Sequence, residues 1–194
     1  MFGYLHNIKK ATTFDAAEIL KAATQSFVSG KSGAFETIYN QLAPKLMAIC
    51  KRYSNDNDEA KDLMQESFIK IYKNLNKVEN NKQIESWAKR IAINTCIDYY
   101  RSAVKTEFLK IQDIDLVEEE SVFVEKDILN YDIEIVFAAI QNMPKGYRIV
   151  LNLFVFDKKS HTEIAEILKI TSSSSRSQLT KARKFLKSFL SNEK

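Results

Sequence analysis

The chain has 194 residues, of which 45% are hydrophobic and 28% charged, and its formal net charge is +4 at pH 7. That length holds one large domain or two small ones with cores of their own, and no apolar run approaches the ~20 residues that span a bilayer. Four glycines, two prolines and two cysteines exclude a disulfide scaffold or a zinc cluster and favour helices with short connections over a sheet-rich fold. The opening MFGYLHNIKK shows no long apolar segment before a small-residue cleavage site, so no signal peptide is expected. Cys50 and Cys96 sit among apolar residues and read as buried thiols, which suits a reducing cytoplasm.

Charge is unevenly placed. Residues 107–134 carry net −8, residues 143–194 net +7 and residues 1–106 about +5. Two basic blocks thus flank an acidic stretch. Basic surface gives any polyanion a favourable, salt-dependent contribution, whereas DNA would repel the acidic stretch.

Residues 1–32 form an extension in which Phe14, Ala17, Ile19 and Leu20 suggest one helix packed on the first domain. Residues 33–102 form that domain. Phe35, Ile38, Tyr39, Leu42, Leu46, Ile49, Cys50 and Tyr53 recur at steps of three and four, one face of a helix beginning near Gly33. Pro44 interrupts that pattern and predicts a break or kink just before it. SNDNDEA is a turn and cap. EAKDLMQESFIKIYKNL then buries Leu63, Met64, Phe68, Ile71 and Leu75 and shows Asp62, Gln65, Glu66, Ile69 and Lys73 on its other face. An isoleucine beside that polar face is either an isolated exposed residue or part of a docking surface. NKVENNKQ is a polar loop. ESWAKRIAINTCIDYYR places Ile84, Trp87, Ala88, Ile91 and Thr95 inward, with Lys89, Arg90, Asn94, Asp98 and Arg101 outward. Trp87 reads as core more readily than as a base-stacking platform. Tyr99 and Tyr100, beside Arg101, suit either stacking on unpaired bases or packing between helices.

Residues 103–131 scatter apolar side chains among acids with no sustained period and with neither Gly nor Pro. This reads as an acidic interdomain linker that becomes ordered on a partner; a poorly patterned bridging helix is the alternative.

Residues 132–194 form the second domain. Ile133, Val136, Phe137 and Ile140 make a short helix ended before Pro144; Tyr147, Val150, Leu151 and Phe154 mark the next. After the FDKKS turn, with Ser160 or Thr162 as cap, Glu163 to Lys169 make a two-turn helix. The last helix has Leu179, Ala182, Phe185, Leu186 and Phe189 as its stripe. Its other face carries Ser173, Ser174, Arg176, Ser177, Thr180, Lys181, Lys184 and Lys187. Short helix, turn and basic helix make a helix-turn-helix reader of duplex DNA. Short hydroxyls permit close approach and free N–H groups at the helix start can bind phosphate. Arg176 can take a guanine edge, Gln178 an adenine if it points outward, and Lys181, Arg183, Lys184 and Lys187 can hold the backbone. His161 reads as a cap or phosphate contact and not as a metal ligand.

The two blocks together resemble a bacterial RNA polymerase sigma factor of the extracytoplasmic-function (ECF) group of the sigma-70 family. DLMQESFIKIY, with Asn94, Asp98 and Arg101 at N-x-x-x-D-x-x-R spacing, resembles that family's region 2, and the helix-turn-helix block resembles its region 4. The resemblance implies an all-α fold of two small helical domains, the C-terminal one with the helix-turn-helix. It implies that Asp62, Gln65, Glu66 and Ile69 dock on the coiled-coil clamp of the polymerase largest subunit. The loop from Asn76 to Lys82 would help hold a flipped base, and Asn94, Asp98 and Arg101 would meet the −10 element as it melts. Ser174, Ser175, Arg176, Gln178, Lys181 and Arg183 would serve the −35 element. The linker would thread along the polymerase. The implied partners are core RNA polymerase, promoter DNA and an anti-sigma factor, membrane-bound in many cases. No cofactor, small-molecule substrate, membrane insertion or catalysis is implied.

Two departures stand out. Ser102 and Ala103 come after Arg101 where bases usually continue. Ser173 stands where a glycine commonly opens the recognition helix, and serine is expected to cap instead. The main alternative is a dimeric helix-turn-helix regulator acting without core polymerase. An enzyme is disfavoured: no nucleophile elbow or phosphate loop occurs, and the two histidines lie far apart in sequence.

Overall fold

The computed structural model describes residues 16–78, 83–104 and 131–192, and every regular element among them is helical. They are α1 (residues 16–28), α2 (Ala34–Tyr53), α3 (Asn57–Asn74), α4 (Ile84–Val104), α5 (Ile133–Asn142), α6 (Lys145–Leu151), α7 (His161–Leu168) and α8 (Ser172–Asn192). The chain divides into two compact units, Met1–Cys50 with Lys61–Thr95, and Lys51–Ala60 with Cys96–Lys194. The sequence boundaries at 33, 103 and 132 cut the chain differently. Most of the acidic stretch, and Phe14 in the N-terminal extension, lie outside the described residues.

In the first unit, α1 buries Leu20, Ala23 and Thr24, and the Thr24 hydroxyl donates to Leu20 O at 2.8 Å. Gly30, at φ 74°, closes α1 in the left-handed cap conformation that costs glycine least. Pro44 does not break α2. The helix runs unbroken from Ala34 to Tyr53 with Pro44 inside it, against the expectation of a break. The proline removes one N–H, the one that would have reached Asn40. Leu42 and Leu46, both fully buried, anchor the helix on either side of it. Each such leucine contributes about 1.5–3 kcal/mol over exposure, comparable to the ~3 kcal/mol a helical proline costs. Along α3, Leu63, Met64, Phe68 and Ile71 are buried, and Leu75 comes next in a short 3-10 turn. On α4, Ile84, Ala88 and Ala92 face the same core. Glu85 bonds both Lys45 and Lys89, and these hydrogen bonds hold its carboxylate below the usual range although partial burial opposes them.

The second unit contains the start of α3. Asp56 caps it by accepting from the Asp58 and Glu59 N–H groups at 3.0 and 2.8 Å. Its core is built from α5 to α8, with α8 packed on α5, α6 and α7. Asp132 caps α5 by accepting from Glu134 N. The helix after Pro144 does not end at Leu151 but widens into one π-helical turn, Asn152–Phe156. Asn152, fully buried there, donates to Arg52 O at 2.8 Å and Arg148 O at 2.9 Å. Arg148 is 3% exposed and donates to Tyr53 O, Asn55 Oδ1, Gln141 O and Met143 O at 2.8–3.3 Å. Ser160 caps α7 in a reciprocal box with Glu163. Hydrogen bonds from Lys159 and from the Ser160 N–H and hydroxyl hold that glutamate down to about 2, so the box stays charged far into acid.

Between α7 and α8, Lys169 takes φ 57°, and Ile170 N reaches back to Ala165 O at 3.1 Å. A side chain there is strained by about 1–2 kcal/mol. Lys169→Gly is therefore expected to raise unfolding stability by about 0.5–1 kcal/mol after the extra entropy of the unfolded glycine. Urea unfolding of the two chains measures it; an unchanged or lower midpoint contradicts the strain argument.

Candidate functional surfaces

Three exposed surfaces gather most of the residues singled out in the sequence. On α3, Asp62, Gln65, Glu66 and Ile69 are all exposed. Their steps of three and one place them along a single stripe. Ile69 is 53% exposed. Glu66 pairs with Lys70 at 2.8 Å, and Lys70 also donates to the Thr95 hydroxyl at 3.2 Å. The stripe therefore offers carboxylate, amide and one apolar surface side by side. Tyr72, one turn further and equally exposed, is absent from the residues expected on this face, although its place three residues after Ile69 is a signal for it.

On α4, Asn94 and Asp98 are exposed, one turn apart. Arg101, also exposed, makes three contacts within the second unit. Its Nη1 lies 3.5 Å from Asp98 Oδ1, its Nε donates to Ile167 O at 2.9 Å, and its Nη2 donates to the same carbonyl. The paired tyrosines separate: Tyr99 faces outward and Tyr100 is buried, so only Tyr99 offers a ring face. Asn76 and Lys77 are exposed; residues 79–82 of that loop lie outside the described residues.

The third surface is the first half of α8. Its cap is Thr171, whose Oγ1 accepts from Ser174 N at 3.0 Å. Ser173, expected to cap, instead lies inside the first turn and is exposed. Arg176, Lys184 and Lys187 are exposed, and Ser174, Lys181 and Arg183 half-buried. Two members of the expected DNA-binding set point elsewhere. Ser175 is fully buried and Gln178 is 5% exposed. They fall on the same stripe as Leu179, Ala182, Leu186 and Leu190, because steps of three and four return to one helix face. Gln178 packs against Gly146, where a Cβ would meet its Oε1 at 3.1 Å. Ser175 Oγ instead lies 2.9 Å from His161 Nδ1.

The expectation that His161 caps a helix needs correcting. Ser160 takes the cap, and the imidazole stacks on Phe154 with ring centroids 4.7 Å apart. The Arg183 guanidinium lies 5.8 Å from the same Phe154 ring. Burial, then the charges of Arg176 and Arg183, hold the histidine below 6.5. The unfolded chain therefore takes up this proton first. The stabilisation is complete above pH 6.5 and is lost as pH falls below 6.5 through the lower folded value. Unfolding free energy should fall as pH drops below 6.5, and less steeply in His161→Gln; parallel profiles for the two chains would rule out this linkage.

Among the described residues, no cluster of three or more His, Cys, Asp or Glu could hold a metal ion, and no helix is long and apolar enough to cross a membrane. The arrangement is suited to binding: a mixed stripe on α3, amide and carboxylate groups with one tyrosine on α4, and cations on α8.

Comparison with known proteins agrees. Residues 38–106 match the family model described as Sigma-70 region 2, and residues 133–186 match Sigma-70, region 4. The chain is 31% identical over 157 residues to the RNA polymerase sigma factor SigZ of Bacillus subtilis, covering 80% of this chain and 86% of that protein. It is 28% identical over 167 residues to the RNA polymerase sigma-H factor of Pseudomonas aeruginosa, covering 79% and 84%. Among solved structures, CnrH in complex with the cytosolic domain of CnrY aligns at 18% identity and TM-score 0.47, covering 91% of this chain and 99% of that one.

Proposed function

Because the chain belongs to the sigma-70 family, in its ECF group, and directs RNA polymerase to promoters, we propose that it divides this work among the three surfaces above. The α3 stripe of Asp62, Gln65, Glu66 and Ile69 docks on the coiled-coil clamp of the polymerase largest subunit. Asn94, Asp98 and Arg101 on α4 meet the −10 element as it melts, with Tyr99 as the exposed ring beside them. Ser174, Arg176, Lys181 and Arg183 on α8 serve the −35 element. Ser175 and Gln178 support that helix from within. No covalent chemistry is asked of the chain. Opening the duplex and flipping a base cost a few kcal/mol, which pocket contacts and stacking offset.

The observation that carries this reading is the α3 stripe, a run of four exposed residues that includes an isoleucine beside carboxylates and an amide. The site of action is the cytoplasm, where polymerase and promoters meet. An anti-sigma factor that occludes both domains, membrane-bound in many members of the group, is the regulatory partner. The acidic linker, residues 103–131, would run along the polymerase's nucleic-acid path until RNA displaces it.

The test is promoter-dependent transcription by purified core polymerase, with and without this protein, on a fragment from its own upstream region. Initiation at one start site is expected. Gln65→Ala with Ile69→Ala should weaken polymerase binding by at least about tenfold, the range for truncating central interface residues. Unchanged affinity in the double variant would sink the docking assignment.

A further inference from the structure

The first unit exposes large apolar side chains on α1, α2 and α3. Ile69 and Tyr72 lie one turn apart on α3 and are each 53% exposed. The Tyr72 ring is held edge-on by two others, Phe27 of α1 at 5.2 Å and Phe35 of α2 at 4.9 Å. Tyr39 of α2, also exposed, lies against Phe68 with centroids 4.5 Å apart. Val28, next to Phe27 at the end of α1, is 58% exposed. Edge-to-face contacts of this kind fix ring orientation. Tyr72 is thus pinned from behind while half its surface is open to solvent. Contiguous exposed apolar surface on a soluble unit marks an interaction site more often than isolated residues do.

Helix α1 precedes the segment that matches region 2, which begins at residue 38, yet it supplies Phe27 to this cluster. We infer that α1 and the cluster it braces widen the polymerase-docking face, so that the α3 stripe continues from Ile69 through Tyr72 to Val28. The occupant is core RNA polymerase, because Tyr72 stands one turn beyond Ile69 on the face of the proposed docking stripe, and α1 reaches that face through Phe27. The inference rests on that docking assignment. Within it, Tyr72 and Val28 touch the partner, while Phe27 is a positioning residue that sets the Tyr72 ring.

The experiment measures equilibrium binding of the full-length protein to purified core polymerase, beside urea unfolding of each variant. Val28→Gln keeps the cluster intact and changes only exposed surface; Tyr72→Gln removes an exposed ring. Gln65→Ala with Ile69→Ala serves as reference. Together Val28→Gln and Tyr72→Gln should weaken binding about tenfold, and Val28→Gln alone should weaken it measurably with an unchanged unfolding midpoint. If the reference pair weakens binding and Val28→Gln does not, the widened face is wrong while the α3 docking stands, and the patch belongs to another partner such as an anti-sigma factor. If the reference pair also leaves binding unchanged, the docking assignment fails and this inference with it.

Discussion

Arg148→Ala is expected to destabilise the second unit by about 3–5 kcal/mol, the loss seen when a buried charged partner is deleted from a hydrogen-bonded network. The side chain spans three neighbourhoods of that unit: the Tyr53 carbonyl and Asn55 amide oxygen, the Gln141 carbonyl at the end of α5, and the Met143 carbonyl before Pro144. Alanine leaves these acceptors unanswered in a place where the arginine is 3% exposed. A cavity replaces the guanidinium as well. The arginine itself is strained in charge: burial lowers its pKa, the Glu59 carboxylate only partly opposes this, and its Nε has no hydrogen-bond partner. Three of its four acceptors are backbone carbonyls, which no substitution at another position can remove, so the deletion leaves them without that donor. Against a total of about 5–15 kcal/mol for a domain, the deletion should shift a urea midpoint by a large fraction of its value. Arg148→Lys, which keeps the charge but lacks the fork, should fall between. A loss below about 1 kcal/mol in the alanine variant would mean that the four bonds are not maintained in solution.

How far the sequence reveals each feature depends on the kind of signal that feature leaves. The α3 stripe is legible because apolar and polar positions separate cleanly at helical spacing, so the buried Leu63, Met64, Phe68 and Ile71 fix which way Asp62, Gln65 and Ile69 face. The α7–α8 pair is legible for the same reason. Ser175 and Gln178 mislead because the family resemblance carries their positions over as DNA contacts, whereas the helix phase, set by Leu179, Ala182 and Leu186, turns them inward. There phase outweighs the resemblance. Pro44 misleads because the local rule for proline ignores the packing of Leu42 and Leu46 that overrides it. Arg148 leaves no signal at all: a lone arginine in a short helix reads as surface, and its burial depends on acceptors up to 95 residues away. Tertiary partners of that range are outside any window of periodicity. The same limit hides the aromatic brace of Phe27, Phe35 and Tyr72, which joins three helices.

The inward-turned pair supplies the sharper test of how α8 reads DNA. Arg176→Ala should weaken binding to a −35 duplex by about 1–3 kcal/mol and relax preference at the base it contacts. Its side chain is exposed, in the turn after the Thr171 cap, where a recognition helix enters the major groove. Lys184→Ala, further along, should weaken all sequences alike and reduce the salt slope by about one phosphate's worth. Gln178→Leu should leave base preference intact. Its amide lies inside the fold, its Oε1 has no hydrogen-bond partner, and an apolar residue of similar size removes a buried unsatisfied acceptor. The three variants therefore separate specificity, affinity and folding along one helix. Competition binding to a set of −35 duplexes at two salt concentrations resolves them. A change of base preference in Gln178→Leu as large as that in Arg176→Ala would show that α8 rotates on binding DNA, and would return Gln178 to the reading face.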